Sequence, residues 1–280
     1  MDKKEAKKTY IDLTGKNVRS VEEILTGFSN NNFLINDSSV MRIPKENKDE
    51  TISNANELNN YNLIAPLNLS EKIIYFDIQT GIKISKFIHQ SNPYDLSPTN
   101  DQLTLIAKTL KKLHNSKINT KVGYQPFLKL NVYKKSLDIS ERIDSRYEKL
   151  IIQEISKIFG KSPMVLCHND LVKGNMLFTY NKLFLIDWEY GAMNNPYFDL
   201  ASVITENDLS NDQETFFLQK YFGSKYNNLI KKRVDLFGKF QDILFYYRAK
   251  YMLNRRHLQI YKTIGDEKYQ RILNSIKTLF

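Results

Sequence analysis

The sequence predicts an α+β chain in two lobes: a small, β-rich N-lobe over residues 1–88 and a larger, mostly helical C-lobe over 89–280. Three observations predict it. Apolar residues alternate with a period near 2 through roughly the first 90 residues. From residue 97 the period changes to about 3.6. The change falls near 85–92, where no low-complexity run intervenes, so the boundary reads as a short hinge and not a flexible tether.

Taken in order, "SVEEILTGF" is a strand entering a loop, and "NFLIN", "DSS" and "VMRIP" follow as a hairpin. Residues 50–64 read as a helix of modest propensity, burdened by asparagine. "KIIYFDIQTGIKISKFI" supplies two more strands around "QTG". "SPTNDQLTLIAKTLKKLH" opens on Ser-Pro and sets Leu103, Ile106, Leu110 and Leu113 on one helical stripe. Residues 131–159 are expected to form a further helical region, closed by Gly160 and "KSP". "NPYFDLASVITE" is a helix begun by Asn-Pro, and "SNDQETFFLQKYF" carries a Ser210/Gln213 capping box. Residues 229–256 predict a long aromatic helix, and "DEKYQRILNSIKTL" a final one.

Composition narrows the class. With 41% hydrophobic residues in 280 the chain has material for a real core. Cys167 is the single cysteine, so no disulfide forms within the chain and a reducing, cytoplasmic home is expected. There is no run of about 18 apolar residues, and "MDKKEAKKTY" lacks the apolar centre of a signal peptide, so no membrane insertion is expected. The net charge of +10 invites a nucleic-acid reading, and residues 231–280 alone hold twelve Lys/Arg against four Asp/Glu. Richness in Lys, Asn, Ile, Tyr and Phe follows equally from AT-biased coding, so no nucleic-acid partner is expected.

The densest chemistry lies in "CHNDLVKGNMLFTYNKLFLIDWEY", residues 167–190. Two apolar runs flank a polar break at Tyr180-Asn181, which reads as a hairpin. With Asn181 as the turn centre, Asn175 and Asp187 stand six residues to either side and face each other. Asp170 lies in the loop entering the hairpin. Asp187 and Asn175 offer the hard oxygen ligands that Mg²⁺ takes, and Asp170 is left to accept a proton. Phosphoryl transfer needs this division: metal on the phosphates, and a separate carboxylate for the attacking hydroxyl. His168, Asp170 and Asn175 share the spacing of the H-R-D-x-x-x-x-N catalytic loop, and Lys173 inside it could reach a γ-phosphate.

"HNDLVKGN" followed by "LIDWEYGAMNNPYFDLA" resembles the choline/ethanolamine kinase family, within the wider aminoglycoside-phosphotransferase-like group. The likeness runs over roughly residues 18–260 and is densest at 167–207. It implies a bilobal protein-kinase-like fold, the cofactors ATP and Mg²⁺, and transfer of phosphate to the hydroxyl of a small amino alcohol. Asp170 would be the base; Asn175 and Asp187 would hold the metal. "LTGFSNNNF" is similar to the family's phosphate-covering loop: Gly27 permits a tight turn, and Ser29, Asn30 and Asn32 offer donors. Arg42 takes the place of the usual lysine for the α/β-phosphates, with Glu57 as its partner. Backbone groups of Lys86, Phe87 and Ile88 would meet adenine.

The acceptor alcohol is harder to read. By the resemblance, Tyr190, Glu189 and Glu206 line the acceptor pocket, and the long helix supplies Phe245 and Arg248, three residues apart on one face. Choline kinases generally place tryptophans there to enclose the quaternary ammonium, whereas Trp188 is the only tryptophan of this chain. An arginine aimed at a cation repels it unless it swings out or pairs with Asp242 or Glu206. Choline is therefore the first expectation, with ethanolamine, thiamine or an aminoglycoside as alternatives. A kinase fold that only binds, and a basic nucleic-acid-binding protein, are the rivals from other classes.

Overall fold

The computed structural model describes residues 2–25, 30–94, 97–159, 161 and 163–279. Helix α1 (Lys3–Thr14) starts on a reciprocal capping box between Asp2 and Glu5 and stops at Gly15, whose φ of 67° suits glycine. The apolar pattern of the sequence did not foresee it, because only Ala6 and Tyr10 are buried. Strands β1 (Val21–Ile24), β2 (Asn30–Ile35) and β3 (Ser39–Pro44) form an antiparallel meander. The β2–β3 turn rests on Asn36 and Asp37, both at positive φ, slightly earlier than the expected "DSS". Helix α2 (Asn54–Ile64) begins at Ser53, whose hydroxyl caps Asn56. Strands β4 (Ile73–Phe76) and β5 (Lys83–Lys86) complete a five-stranded antiparallel sheet of order β1-β2-β3-β5-β4. Tyr10, Phe33, Ile35, Met41 and Ile84 pack into one core that joins α1 to this sheet.

Helix α3 (Asn100–His114) is capped at Thr99, and its stripe of Leu103, Ile106, Leu110 and Leu113 is buried as expected. The helical region expected over 131–159 is instead two helices, α4 (Pro126–Lys135) and α5 (Ser145–Phe159). The acidic residues between them explain the break. Asp138 and Glu141 close a capping box around a 3-10 turn, and the Asp144 carboxylate accepts from the Arg146 and Tyr147 amides, which restarts the helix. Four short strands follow: β6 (Val165–Cys167), β7 (Met176–Phe178), β8 (Leu183–Leu185) and β9 (Ala192–Asn194). Helices α6 (Pro196–Thr205), α7 (Asn211–Phe222), α8 (Asn228–Arg256) and α9 (Gln259–Leu279) end the chain. The predicted Ser210/Gln213 capping box is present. Helix α9 starts earlier than the sequence suggested, because His257 at φ 53° closes α8 abruptly.

The chain divides into two compact units. The first comprises Met1–Tyr94 with Lys173–Glu189, and the second Asp95–Val172 with Tyr190–Phe280. The β7–β8 hairpin thus groups with the five-stranded sheet, and β6 pairs with β9 inside the helical unit.

Candidate active site

In the first unit, β3 and β5 pair Arg42 directly with Lys83, so both cations leave the same face of the sheet. Two like charges across a ladder repel, and a buried acid must hold them. Glu57, fully buried on α2, does so. Its two oxygens accept both ends of the Arg42 fork at 2.7 Å, and Lys83 Nζ lies 3.5 Å away. Lys83 also bonds Tyr61 Oη at 2.6 Å and Glu71 at 3.0 Å. The sequence reading passed over Lys83, although a lysine inside the alternating run "GIKISKF" was its visible signal. Arg42 further donates to Asp187 Oδ1 at 2.7 Å, so one guanidinium joins two of the residues predicted from sequence.

Asp187 follows the hairpin. The expected register, with Asn175 opposite Asp187, is off by one: Met176 pairs with Leu185, and the Ile186 amide donates to Asn175 C=O at 3.0 Å. The loop holds two residues, Tyr180 and Asn181, between the bonded pair Thr179 and Lys182, so the turn axis falls between them and not on Asn181. Asp187 lies past the ladder at φ 64°, a left-handed conformation that turns the chain out of the strand. Asn175 ends a 3-10 turn with Lys173, whose ammonium sits 5.1 Å from the Tyr94 ring centroid. Glu189 is buried, and burial followed by the Asp187 charge pushes its carboxyl up to about 8. Its charged neighbours are Asp187, Arg42, Glu57 and Lys48, all of the first unit.

Asn30 and Asn32 lie on β2, with Asn32 paired to Arg42. Gly27 and Ser29 fall outside the described residues. In the segment predicted to meet adenine, the Lys86 and Phe87 amides already donate to the carbonyls of Lys72 and Ser38. The Ile88 carbonyl accepts from Ser91 Oγ at 2.7 Å.

In the second unit, the loop that carries Asp170 is fastened from both sides. The amides of His168 and Asn169 each donate to the fully buried Asp199 carboxylate at 2.8 Å. The Leu171 amide donates to Ser202 Oγ at 3.2 Å, and Asn207 reaches Leu171 C=O at 2.9 Å. Asn169, at φ 66°, bonds Tyr190 C=O, and its own side-chain oxygen accepts from Asn194. His114 closes the cluster, with Nε2 3.1 Å from Asp199 Oδ2 and Nδ1 2.8 Å from Tyr221 Oη. Asp199 was not singled out from sequence. An acid one turn into a helix begun by Asn-Pro was the available hint, but it reads as an ordinary first-turn carboxylate.

The residues assigned to the acceptor also lie here, apart from Glu189. The Tyr190 ring has Arg248 at 5.1 Å and Lys129 Nζ at 5.4 Å from its centroid. Glu206 meets Lys268 at 2.5 Å, and Phe245 packs edge-on to Phe198. Tyr246 and Tyr247, neighbours of Phe245 on α8, turn their hydroxyls to Glu141 C=O and Glu148.

The choline/ethanolamine kinase family model matches residues 21–233. Protein LicA of Haemophilus influenzae is 30% identical over 272 residues, covering 90% of this chain and 78% of that protein. Choline kinase LicA from Streptococcus pneumoniae superposes with a TM-score of 0.85 at 22% identity, over 98% of each chain. A LicA complex with AMP gives 0.82 at 22% identity, over 99% of this chain and 98% of that one. At such identities the structural likeness speaks for the fold, which is the protein-kinase-like one. The family model covers most of the chain, and with it the chain belongs to the choline/ethanolamine kinase family, a family of small-molecule phosphotransferases.

Proposed function

We propose that the protein phosphorylates the hydroxyl of a small amino alcohol from ATP in the presence of Mg²⁺, with choline the first-choice acceptor and phosphocholine the product. The observation that carries the reading is Arg42, which bonds Glu57 through its fork and Asp187 through one nitrogen of that fork. A cation fixed by a buried acid and tied to a carboxylate suits a polyphosphate and its counter-ion. The AMP bound in the LicA neighbour supports a nucleotide as donor.

Each residue then has a role. Asp170, on a loop fixed by Asp199, accepts or orients the hydroxyl proton. Asp187 and Asn175 supply a carboxylate and an amide oxygen, the hard donors Mg²⁺ takes while keeping several waters. Bound there, Mg²⁺ would neutralise phosphate charge. Arg42 and Lys173 hold the phosphates, and the buried His168 braces the loop. Asn30 and Asn32, with Gly27 and Ser29, cover them. Lys86, Phe87 and Ile88 contribute the adenine-facing backbone. Positioning supplies much of the rate, since little covalent chemistry falls to the protein. Tyr190, Glu189, Glu206, Phe245 and Arg248 are assigned to the acceptor. The compartment assigned is the cytoplasm, on the cysteine argument above. Among the described residues no helix is long and apolar enough to cross a membrane.

The test is ADP release in a coupled assay with Mg²⁺ and ATP, run against choline, ethanolamine, thiamine and an aminoglycoside. Turnover with choline well above the others is the expected result. Turnover with the aminoglycoside alone would replace the acceptor, and tight ATP binding without any turnover would leave a binding protein.

A further inference from the structure

The residues assigned to the acceptor's ammonium already face a cation of the chain itself. Lys268 of α9 is 4% exposed. Its Nζ lies 2.5 Å from Glu206 Oε1, 3.4 Å from Asp242 Oδ1 and 5.8 Å from the centroid of Phe245. Asp242 and Phe245 are three residues apart on α8 and so share a face, while Glu206 caps the end of α6. Arg271, three residues beyond Lys268, donates to Thr205 C=O at 2.6 Å, pairs with Asp208 and stands 3.8 Å from Asp242. Glu206 and Asp242 therefore share the resident cation Lys268, and Asp242 also faces Arg271.

A buried ammonium against two carboxylates and an aromatic face is the environment that a choline head group seeks. Here α9 supplies the ammonium. A second cation entering the cluster would meet Lys268 at close range in a poorly solvated site, where like charges repel strongly. We propose that Lys268 is a specificity-determining residue: a tethered ammonium that occupies Glu206 and the Phe245 face and lowers the protein's affinity for cationic acceptors relative to neutral ones. The inference rests on the assignment of Glu206 and Phe245 to the acceptor pocket. It differs in sign from the role of a plain strut between α6, α8 and α9. Removal of a strut weakens whatever the pocket binds; removal of a competing cation strengthens the binding of another.

The experiment measures tetramethylammonium binding by calorimetry, together with the KM values for choline and ATP, in Lys268→Met, Lys268→Arg and the double variant Lys268→Met/Glu206→Gln. Lys268→Met is expected to bind tetramethylammonium about tenfold more tightly and to lower the choline KM by a similar factor, with the ATP KM unchanged. Lys268→Arg keeps the charge and stays near the parent. Added Glu206→Gln cancels the gain. A folded Lys268→Met that binds tetramethylammonium no better than the parent overturns the proposal. Should Lys268→Met fail to fold, Lys268→Gln, which keeps a polar group beside Glu206, carries the same comparison. The two readings fail separately. A parent protein that turns over none of the alcohols refutes the proposed function, whereas turnover without a gain in Lys268→Met refutes only the role of Lys268.

Discussion

Asp170 and Arg42 make opposite demands on their surroundings, and their substitutions should separate. Asp170 is only partly buried, and its assigned role is on the hydroxyl proton. Asp170→Ala is expected to lower kcat by about 100- to 10,000-fold, the range of one lost general base. ATP affinity, read by calorimetry, should hold within about twofold, the scale of ~0.4 kcal/mol. A near-normal kcat would assign the base elsewhere. Arg42 is buried, and its removal leaves Glu57 charged in the core beside Lys83 alone. Arg42→Ala should cost about 3–5 kcal/mol in urea unfolding, the penalty for breaking a buried pair by one partner. Arg42→Lys keeps the charge but not the fork, and is expected to raise the ATP KM about tenfold, the worth of ~1.4 kcal/mol, with the choline KM unmoved. An equal rise in both KM values would mean that the whole protein, and not the phosphate clamp, had been disturbed.

At the scale of the element, the loop holding Asp170 is rigid because Asp199 accepts two backbone amides from it. Asp199→Asn swaps one acceptor oxygen for a donor that faces an N–H. Loss of a single charge-assisted bond, about 1.5–3 kcal/mol, predicts a kcat lowered about tenfold or more with ATP affinity intact. An unchanged kcat in a folded variant would show that the loop holds its shape by Ser202 and Asn207 alone. Sequence legibility follows the same division between local and distant causes. The strands of the N-terminal sheet and of the β7–β8 hairpin, the α3 stripe and the Ser210 box were legible, because period and capping are local signals, and the Arg42–Glu57 pair was implied by the kinase resemblance; β6 and β9, three residues each, were too short to show a period. Helix α1 was not, since it buries too few apolar residues to show a period. The split between α4 and α5 was not, since Asp138 and Asp144 read as surface acids until their amide partners are seen. The hairpin register failed by one because a turn residue was taken as the axis where the loop holds two. Asp199 and Lys268 stayed hidden because their roles depend on partners 30 or more residues away.

At the scale of the whole molecule, the folded state holds a proton where the unfolded chain releases it. Burial, against the opposing charges of Lys268 and Arg271 and helped by Glu206, pushes the Asp242 carboxyl up from 3.8 to about 6. Glu214, buried on α7, is also raised, first by burial. The sign follows from linkage. Between the two Asp242 values the native state binds more protons than the unfolded one, so stability falls as pH rises through that window. This is the reverse of a salt-bridged surface carboxylate, whose stabilisation is lost on acidification. For Asp242 the difference of about two units sets a ceiling of about 3 kcal/mol. Asp242→Asn removes the titration and keeps the shape. The stability of the parent minus that of Asp242→Asn should therefore be largest near pH 4 and decline toward pH 7, levelling off above Asp242's folded value. Urea midpoints at half-unit steps, with equal m-values, give the curve. A difference that is flat across the window, or that rises with pH, would mean that Lys268 and Arg271 outweigh burial and keep Asp242 ionised in the folded protein. In that case Lys268 would be bound still more firmly to its two acids, and Lys268→Met would expose a correspondingly stronger site for an added ammonium.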